Sequence, residues 1–329
     1  MEKNFKCCAG TIMAMVSLFF VNLSLAAEFP TKPIEWYNPF GLGSYTGTVM
    51  KVVGDAVSKD LGQNILVLPA VGGGGVLGGT KIARAKPDGY SLLWCNSATN
   101  ANVLFMKKNV PYTNSDFEFI AQVGGVELGL VVGPSSPFKS LQDYLEYARK
   151  NPFLIKQAVI GFGSSAHLAT ELLKLAGNIK IDSVPYKNST EVRTSVLGNH
   201  SQAALTYGGV GGSGDEFKLI LESGGRILGV SSKARLKAYP NVPTFTEQGL
   251  NVVLSAWYGV AGPKGMPKEV SQKLKDSFYK ALKDPQVIKD IEKIGMRYEF
   301  RNSEELTSYV NEYEKLVKMI VEEAKLPVE

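Results

Sequence analysis

The chain has 329 residues, 44% hydrophobic and 20% charged, which excludes an intrinsically disordered chain and suffices for two domains with their own cores. Its net charge of +5 is not gathered into a Lys/Arg block or a basic stripe with interleaved aromatics, so no nucleic-acid partner is expected. Its 3 cysteines, two of them adjacent at Cys7 and Cys8, exclude a disulfide framework and a cysteine-rich metal cluster.

Lys3 and Lys6 precede an apolar run from Ala9 to Leu25 that ends in Ser24-Leu25-Ala26-Ala27. This is the pattern of a secretory signal peptide, so residues 1–27 are expected to be cleaved and the product exported. The alternative, a membrane anchor, would need a longer apolar run. Cys95 would then be the one cysteine left. Ile34 and Trp36 alternate within a first strand, Pro33 to Asn38, and a loop runs from Pro39 to Gly47. Val49, Val52, Val53, Ala56 and Val57 predict a helix from Thr48 through Leu61. Ile65 to Leu68 reads as a second strand. The run Val71-Gly72-Gly73-Gly74-Gly75-Val76-Leu77-Gly78-Gly79 reads as a glycine turn, and Thr80 to Ala85 as a second helix. A third strand, Ser91 to Cys95, completes a β-α-β-α-β unit, which argues for a largely parallel sheet.

Phe117 to Val123 and Leu128 to Val132 read as two strands with a glycine pair between them. A second α/β unit follows. Its helices are expected at Ser140 to Lys150, Leu168 to Ala176, Glu191 to Leu197 and Phe217 to Glu222. Its strands are expected at Ala158 to Ile160, Val184 to Lys187, Ala203 to Tyr207 and Arg226 to Ser231. After a junction at Tyr239 to Thr244, Ser255 to Val260 is a returning strand. The remainder reads as helical: Pro267 to Leu282, Pro285 to Ile294, and Ser303 to Lys325 with Ser303 as N-cap.

Three glycine-rich loops each follow a strand and open a helix: Gly41-Leu42-Gly43-Ser44, Gly72 to Gly75, and Gly161-Phe162-Gly163-Ser164-Ser165. Such places present free backbone N–H groups and a positive helix end to an anion, and serine hydroxyls add donors. Gly73-x-Gly75-x-x-Gly78 has the spacing of a dinucleotide fingerprint. The next strand, however, ends in Cys95-Asn96-Ser97, with no carboxylate for a ribose. No cofactor is expected. Catalytic groupings are thin. The 2 histidines are His167 and His200, no nucleophile elbow is present, and no His/Asp/Glu cluster has metal spacing. His167 reads most simply as a ring hydrogen-bonded near a helix start, and His200 as a surface residue.

Several blocks, in order, carry a family resemblance. They are Phe29-Pro30-Thr31-Lys32-Pro33-Ile34, Pro39-Phe40, Gly72 to Gly78, Pro87-Asp88-Gly89-Tyr90-Ser91-Leu92-Leu93, Gly161 to Leu168 and Val184-Pro185-Tyr186-Lys187. The last are Pro240 to Thr244, Glu247, Gly249, Trp257-Tyr258-Gly259 and Pro263 to Pro267. With these the chain resembles the Bug-type extracytoplasmic solute-binding receptors of tripartite tricarboxylate transporters.

The resemblance implies an α/β type II periplasmic-binding-protein fold, two α/β lobes joined by a hinge with the ligand cleft between them. Lobe 1 would comprise residues 28–125 and 251–329, and lobe 2 residues 126–250. It implies binding, without enzymatic turnover, of a small di-, tri- or aromatic carboxylate in the periplasm. A monomer would deliver the ligand to the large and small membrane subunits of the transporter. The ligand-binding residues it implies are Phe40, Gly43, Ser44, Tyr45 and Thr46, with Asn96, Ser97 and Ala98, facing Gly161, Gly163, Ser164, Ser165 and Tyr207. Gly47 stands where many members have an Asp, which makes an amino-acid ligand less expected. Tyr45 stands where a small residue is common, and would narrow the pocket or stack on a ring. Asn188 and Gln202 also depart from the family pattern, away from the grip. A sensory receptor for a membrane kinase shares the fold. A secreted hydrolase using Ser164 or Ser165 with His167 is the rival of another class.

Overall fold

A computed structural model describes residues 28–208 and 215–329; the expected signal segment lies outside the described residues. The first stretch alternates β1 (Ile34–Asn38), α1 (Tyr45–Leu61), β2 (Ile65–Pro69), α2 (Val76–Ala83) and β3 (Ser91–Asn96). A π-helical turn (Ala98–Asn102) leads into α3 (Val103–Met106), and β4 (Phe117–Val132) follows. The middle holds α4 (Leu141–Lys150), β5 (Lys156–Ile160), α5 (Ser165–Gly177), β6 (Asp182–Tyr186), α6 (Ser189–Leu197), β7 (Ala203–Gly208), α7 (Glu216–Glu222) and β8 (Arg226–Val230). The last stretch is β9 (Ala256–Pro263), α8 (Lys268–Lys283), α9 (Pro285–Ile294), β10 (Arg297–Arg301) and α10 (Ser303–Glu323).

Among the described residues the strands join in the order β2-β1-β3-β9-β4-β7-β5-β6, with β10 and β8 also on β4. β1 pairs parallel with β2 and β3, as the β-α-β order implies, whereas β9 and β4 run antiparallel. Two strands were expected around the glycine pair, but β4 passes through it as one 16-residue strand. Up to Val126 it pairs with β9 and β10; from Glu127 it pairs with β7, and from Gly129 with β8. It thus belongs to both lobes of the periplasmic-binding-protein fold. Gly124 and Gly125 are there for close approach. A Cβ on Gly124 would strike the Arg297 carbonyl, and one on Gly125 would lie 2.9 Å from the Ala256 carbonyl.

The first lobe's core sets Val49, Met50, Val53 and Val57 of α1 against Trp36 and Trp94, with Phe278 of α8 edge-on to Trp36 at 5.3 Å. A second core is shared. Leu128 and Leu130 of β4, Leu168 and Leu172 of α5, and Val310, Tyr313 and Val317 of α10 pack together, so the C-terminal helix buttresses both lobes. Asn302, not Ser303, caps α10: its side chain accepts from Glu304 and Glu305 N–H, and Glu305 returns a bond to its backbone. The last stretch is also not wholly helical, because β10 lies along β4. Arg297 of β10 reaches Glu127 and Glu299, and Arg301 reaches Glu299 and Gln122.

Candidate functional site

α1 begins at Tyr45, three residues before the start at Thr48 that the apolar periodicity predicts. Ser44 makes this possible. Its Oγ accepts from Gly47 N–H at 3.3 Å, contacts Thr46 Oγ1 at 2.7 Å, and donates to the Gly41 carbonyl at 2.7 Å. Buried Asn38, at the end of β1, donates to the same carbonyl at 2.9 Å and to Thr46 Oγ1 at 3.2 Å. Gly47 is required where it stands, since a Cβ there would collide with the Leu42 backbone.

α5 begins the same way, again three residues early. Ser164 is its N-cap and accepts from His167 N–H at 3.1 Å. Gly161 and Gly163 turn the chain into it with φ of 60° and 74°. At both starts the first-turn N–H groups have no carbonyl one turn back, and the helix end carries partial positive charge.

The turn after β3 and the start of α5 touch at Ser165. Its Oγ lies 3.2 Å from Ser97 Oγ and accepts from Asn102 Nδ2 at 3.3 Å. Ser97 and Asn102 bracket the π-helical turn, whose i→i+5 bonding brings residues five apart to one face. The Tyr207 hydroxyl lies beside Ser164, Ser165 and the Ala166 N–H. The Tyr313 hydroxyl lies beside Ser165 and Ser97 without completing a hydrogen bond, and Asn102 Oδ1 is likewise buried without a partner. Next to this polar group stand Tyr45 and Tyr258, edge to face at 5.9 Å, with Trp94 stacked on Tyr258 at 5.8 Å. Burial raises the pKa of Tyr45, Tyr207 and Tyr313, and pushes that of Tyr258 up to about 12. All four phenols are therefore neutral donors at ordinary pH.

His167 is no general base. Its Nδ1 accepts from Gly163 N–H at 3.3 Å, and its Nε2 lies 3.6 Å from Glu171, itself bound to Lys174 and Ser183. Burial holds its pKa below the usual 6.5, though Glu171 pulls the other way. Its acceptor nitrogen already engages backbone, and Ser165 bonds Ser97 and Asn102 instead. Among the described residues, neither Ser164 nor Ser165 hydrogen-bonds the His167 ring as the hydrolase reading requires.

Of the expected residues, Ser44, Tyr45 and Thr46 form one helix start, and Ser97, Ser164, Ser165 and Tyr207 come together around the other. Asn96 is turned into its own segment, donating to the Trp94 carbonyl at 3.0 Å and accepting from Thr99 N–H at 3.0 Å. Ala98 is half-buried on the π-helical turn, while Phe40 and Gly43 lie exposed on the loop before α1. Asn38, Asn102, Tyr258 and Tyr313 were not anticipated. The glycine run is a packing device. Gly73, Gly74 and Gly75 have φ of 59°, 70° and 107°, and a Cβ on Gly75 would strike Thr99 of the π-helical turn.

A sheet shared by two lobes, with two helix starts and a set of neutral donors where they meet, defines a solute-binding protein of the periplasmic-binding-protein class. A family model described as the tripartite tricarboxylate transporter family receptor matches residues 49–326, and the chain belongs to this family. It is 29% identical over 335 residues to the "UPF0065 protein in gbd 5'region" of Cupriavidus necator, covering 99% of this chain and 98% of that one. It is 30% identical over 289 residues to protein BugT of Bordetella pertussis, covering 84% and 86%. The periplasmic binding protein BugD superposes with a TM-score of 0.73 at 26% identity, over 92% of this chain and all of that one. Two more distant structures share the fold. An R. palustris protein solved with adipate has a TM-score of 0.76 at 23% identity, covering 92% of this chain and 100% of that one. MatC from Rhodopseudomonas palustris, with bound malate, has a TM-score of 0.72 at 23% identity, covering 89% and 100%.

Proposed function

We propose that this receptor captures a small carboxylate between the N-termini of α1 and α5 and delivers it to the membrane subunits of a tripartite tricarboxylate transporter. The observation that carries the reading is the pair of serine-capped helix starts beside Ser97 and Ser165, where the lobes touch. The first-turn N–H groups of Tyr45 and Thr46, and of Ser165 and Ala166, are suited to a carboxylate, and hydrogen bonds to a charged group contribute about 1.5–3 kcal/mol each. Neutral donors suit release as well as capture, because no ion pair has to be broken. The adipate and malate complexes of fold relatives are consistent with this ligand class.

Closure would turn on the two adjacent crossings, at Gly125–Val126 in β4 and at Ser255–Ala256 leading into β9. Residues 28–125 and 256–329 would then form one lobe and 126–255 the other, the second boundary five residues later than expected because Leu254 still bonds Ser231 of the middle stretch. Ligand bound to both lobes favours the closed state by its differential affinity alone. The signal-like segment and the family support export to a periplasm, where the receptor would act as a monomer. Calorimetry with benzoate, adipate, malate and citrate tests the site. Ser164→Ala combined with Ser165→Ala is expected to weaken the tightest of these about tenfold. Unchanged affinity in the folded double variant overturns the grip.

A further inference from the structure

The loops before the two helix starts share the form Gly-x-Gly-Ser: Gly41-Leu42-Gly43-Ser44 before α1 and Gly161-Phe162-Gly163-Ser164 before α5. A loop with two glycines has many backbone conformations open to it, so something must hold each in one of them. Before α1 that residue is Asn38, the last of β1. Its Oδ1 accepts from Phe40 N–H at 3.0 Å, and its Nδ2 donates to the Gly41 carbonyl at 2.9 Å. The corresponding strand before α5, β5, ends in Ile160, which offers no side-chain hydrogen bond.

His167 takes that part. It contacts three consecutive residues of the loop. Its backbone N–H donates to Ser164 Oγ at 3.1 Å, a bond that any residue could make and that Gly47 makes at α1. The other two contacts need the imidazole. Nδ1 accepts from Gly163 N–H at 3.3 Å, and the ring lies 4.5 Å from that of Phe162, centroid to centroid. One helical turn further on, Glu171 faces Nε2 at 3.6 Å and is itself fixed by Lys174 at 2.7 Å and by Ser183 of β6 at 2.9 Å. A carboxylate beside Nε2 keeps the ring proton there and leaves Nδ1 as an acceptor. His167 and Glu171 are each 3% exposed, and burying such a pair costs desolvation that two apolar residues would avoid.

From this arrangement we infer that His167, oriented by Glu171, is the positioning residue of the α5 half of the grip, as Asn38 is of the α1 half. The inference rests on the carboxylate grip proposed above and adds to it a side chain that acts through the loop. With the Gly163 peptide pinned, the loop leaves the Ser165 and Ala166 N–H groups uncovered and does not have to be ordered when the ligand arrives. Removing an ordering cost from the binding step raises affinity without adding a contact to the ligand.

The test is calorimetry with adipate and benzoate on the wild type, His167→Leu, His167→Asn and His167→Gln, with thermal midpoints measured alongside. Asparagine brings an amide oxygen near the place of Nδ1, the longer glutamine carries its amide toward that of Nε2, and leucine offers no acceptor. The tighter of the two probes is expected to lose about tenfold in His167→Leu and His167→Gln, and to stay within about threefold of wild type in His167→Asn. Unchanged affinity in His167→Leu overturns the inference while leaving the carboxylate grip intact. So does an Asn variant that loses as much as the Leu variant, or a loss that follows the thermal midpoint across all three, because a merely structural residue would give either result. Failure of both probes on the wild type overturns the grip and the inference together. If His167→Leu does not fold, the contrast between His167→Asn and His167→Gln decides.

Discussion

The Gly72–Gly75 turn and the two serine-capped helix starts look alike on paper: strand, glycines, helix. They differ in what faces the helix end. At Gly73–Gly75 the glycines take left-handed backbone conformations, and Gly74 and Gly75 lie against Val103 and Thr99, so the turn serves to seat the π-helical turn. At Ser44 and Ser164 a serine side chain caps the helix, and rings and hydroxyls stand before the remaining N–H groups. On the proposed reading, a glycine-rich turn serves as an anion site when its glycines leave the helix end uncovered and a cap fixes the helix start.

Substitutions at the two kinds of turn should therefore separate stability from binding. The largest effect is expected from Gly75→Val. A β-branched residue at φ 107° with its Cβ against Thr99 costs about 3 kcal/mol of stability, read as a shift in the urea midpoint. Carboxylate affinity of the molecules that remain folded should not change; a large loss of affinity would mean the glycine turn is part of the grip. The Ser164→Ala and Ser165→Ala pair should behave in the opposite way. Its loss is mainly in affinity, with about 1 kcal/mol of stability gone with the cap.

Tyr313→Phe sharpens the contrast. Its hydroxyl has no hydrogen bond in the fold, so removing it should leave the thermal midpoint equal or higher while weakening carboxylate binding by about 1 kcal/mol. A lowered midpoint with unchanged affinity would give that hydroxyl a structural role instead. The smallest effect concerns His167. Its folded-state pKa lies below 6.5 because burial disfavours the charged ring, so the unfolded chain binds the extra proton more readily. Its contribution is complete above the unfolded value and is lost as pH falls through the folded one. A thermal midpoint followed from about pH 7 to about pH 5 should fall more steeply for the wild type than for His167→Asn, and equal slopes would contradict the assignment.

Much of the fold was legible because its signals are local. The alternation in Ile34 and Trp36, the helical spacing from Val49 to Val57, and the serine–glycine turns each point to one element. What escaped depends on partners distant in sequence. The glycine pair in β4 resembles a break until Arg297 and Ala256 pack against it. β10, with its alternating Arg297-Tyr298-Glu299-Phe300-Arg301, sits between two helices and is a strand because β4 offers it an edge. Both helix starts were placed three residues late, since apolar periodicity begins only where the helix meets the core, whereas the caps act one turn earlier. That same turn holds Tyr45, Thr46, Ser165 and Ala166, the residues of the proposed carboxylate grip. The glycine-rich loops, and then the family resemblance, drew attention to Ser44 and Ser164. Asn102 and Tyr313 stayed hidden, one within a π-helical turn that reads as loop, the other on the buried face of α10.

The most direct test of the central claim is a backbone amide NMR titration with benzoate and, in parallel, with adipate. The account predicts that at least one of them moves the amide resonances of Tyr45 and Thr46 together with those of Ser165 and Ala166, while those of Gly73, Gly74 and Gly75 stay in place. Saturable shifts confined to Gly73–Gly75, or to one helix start alone, would contradict capture between the two lobes.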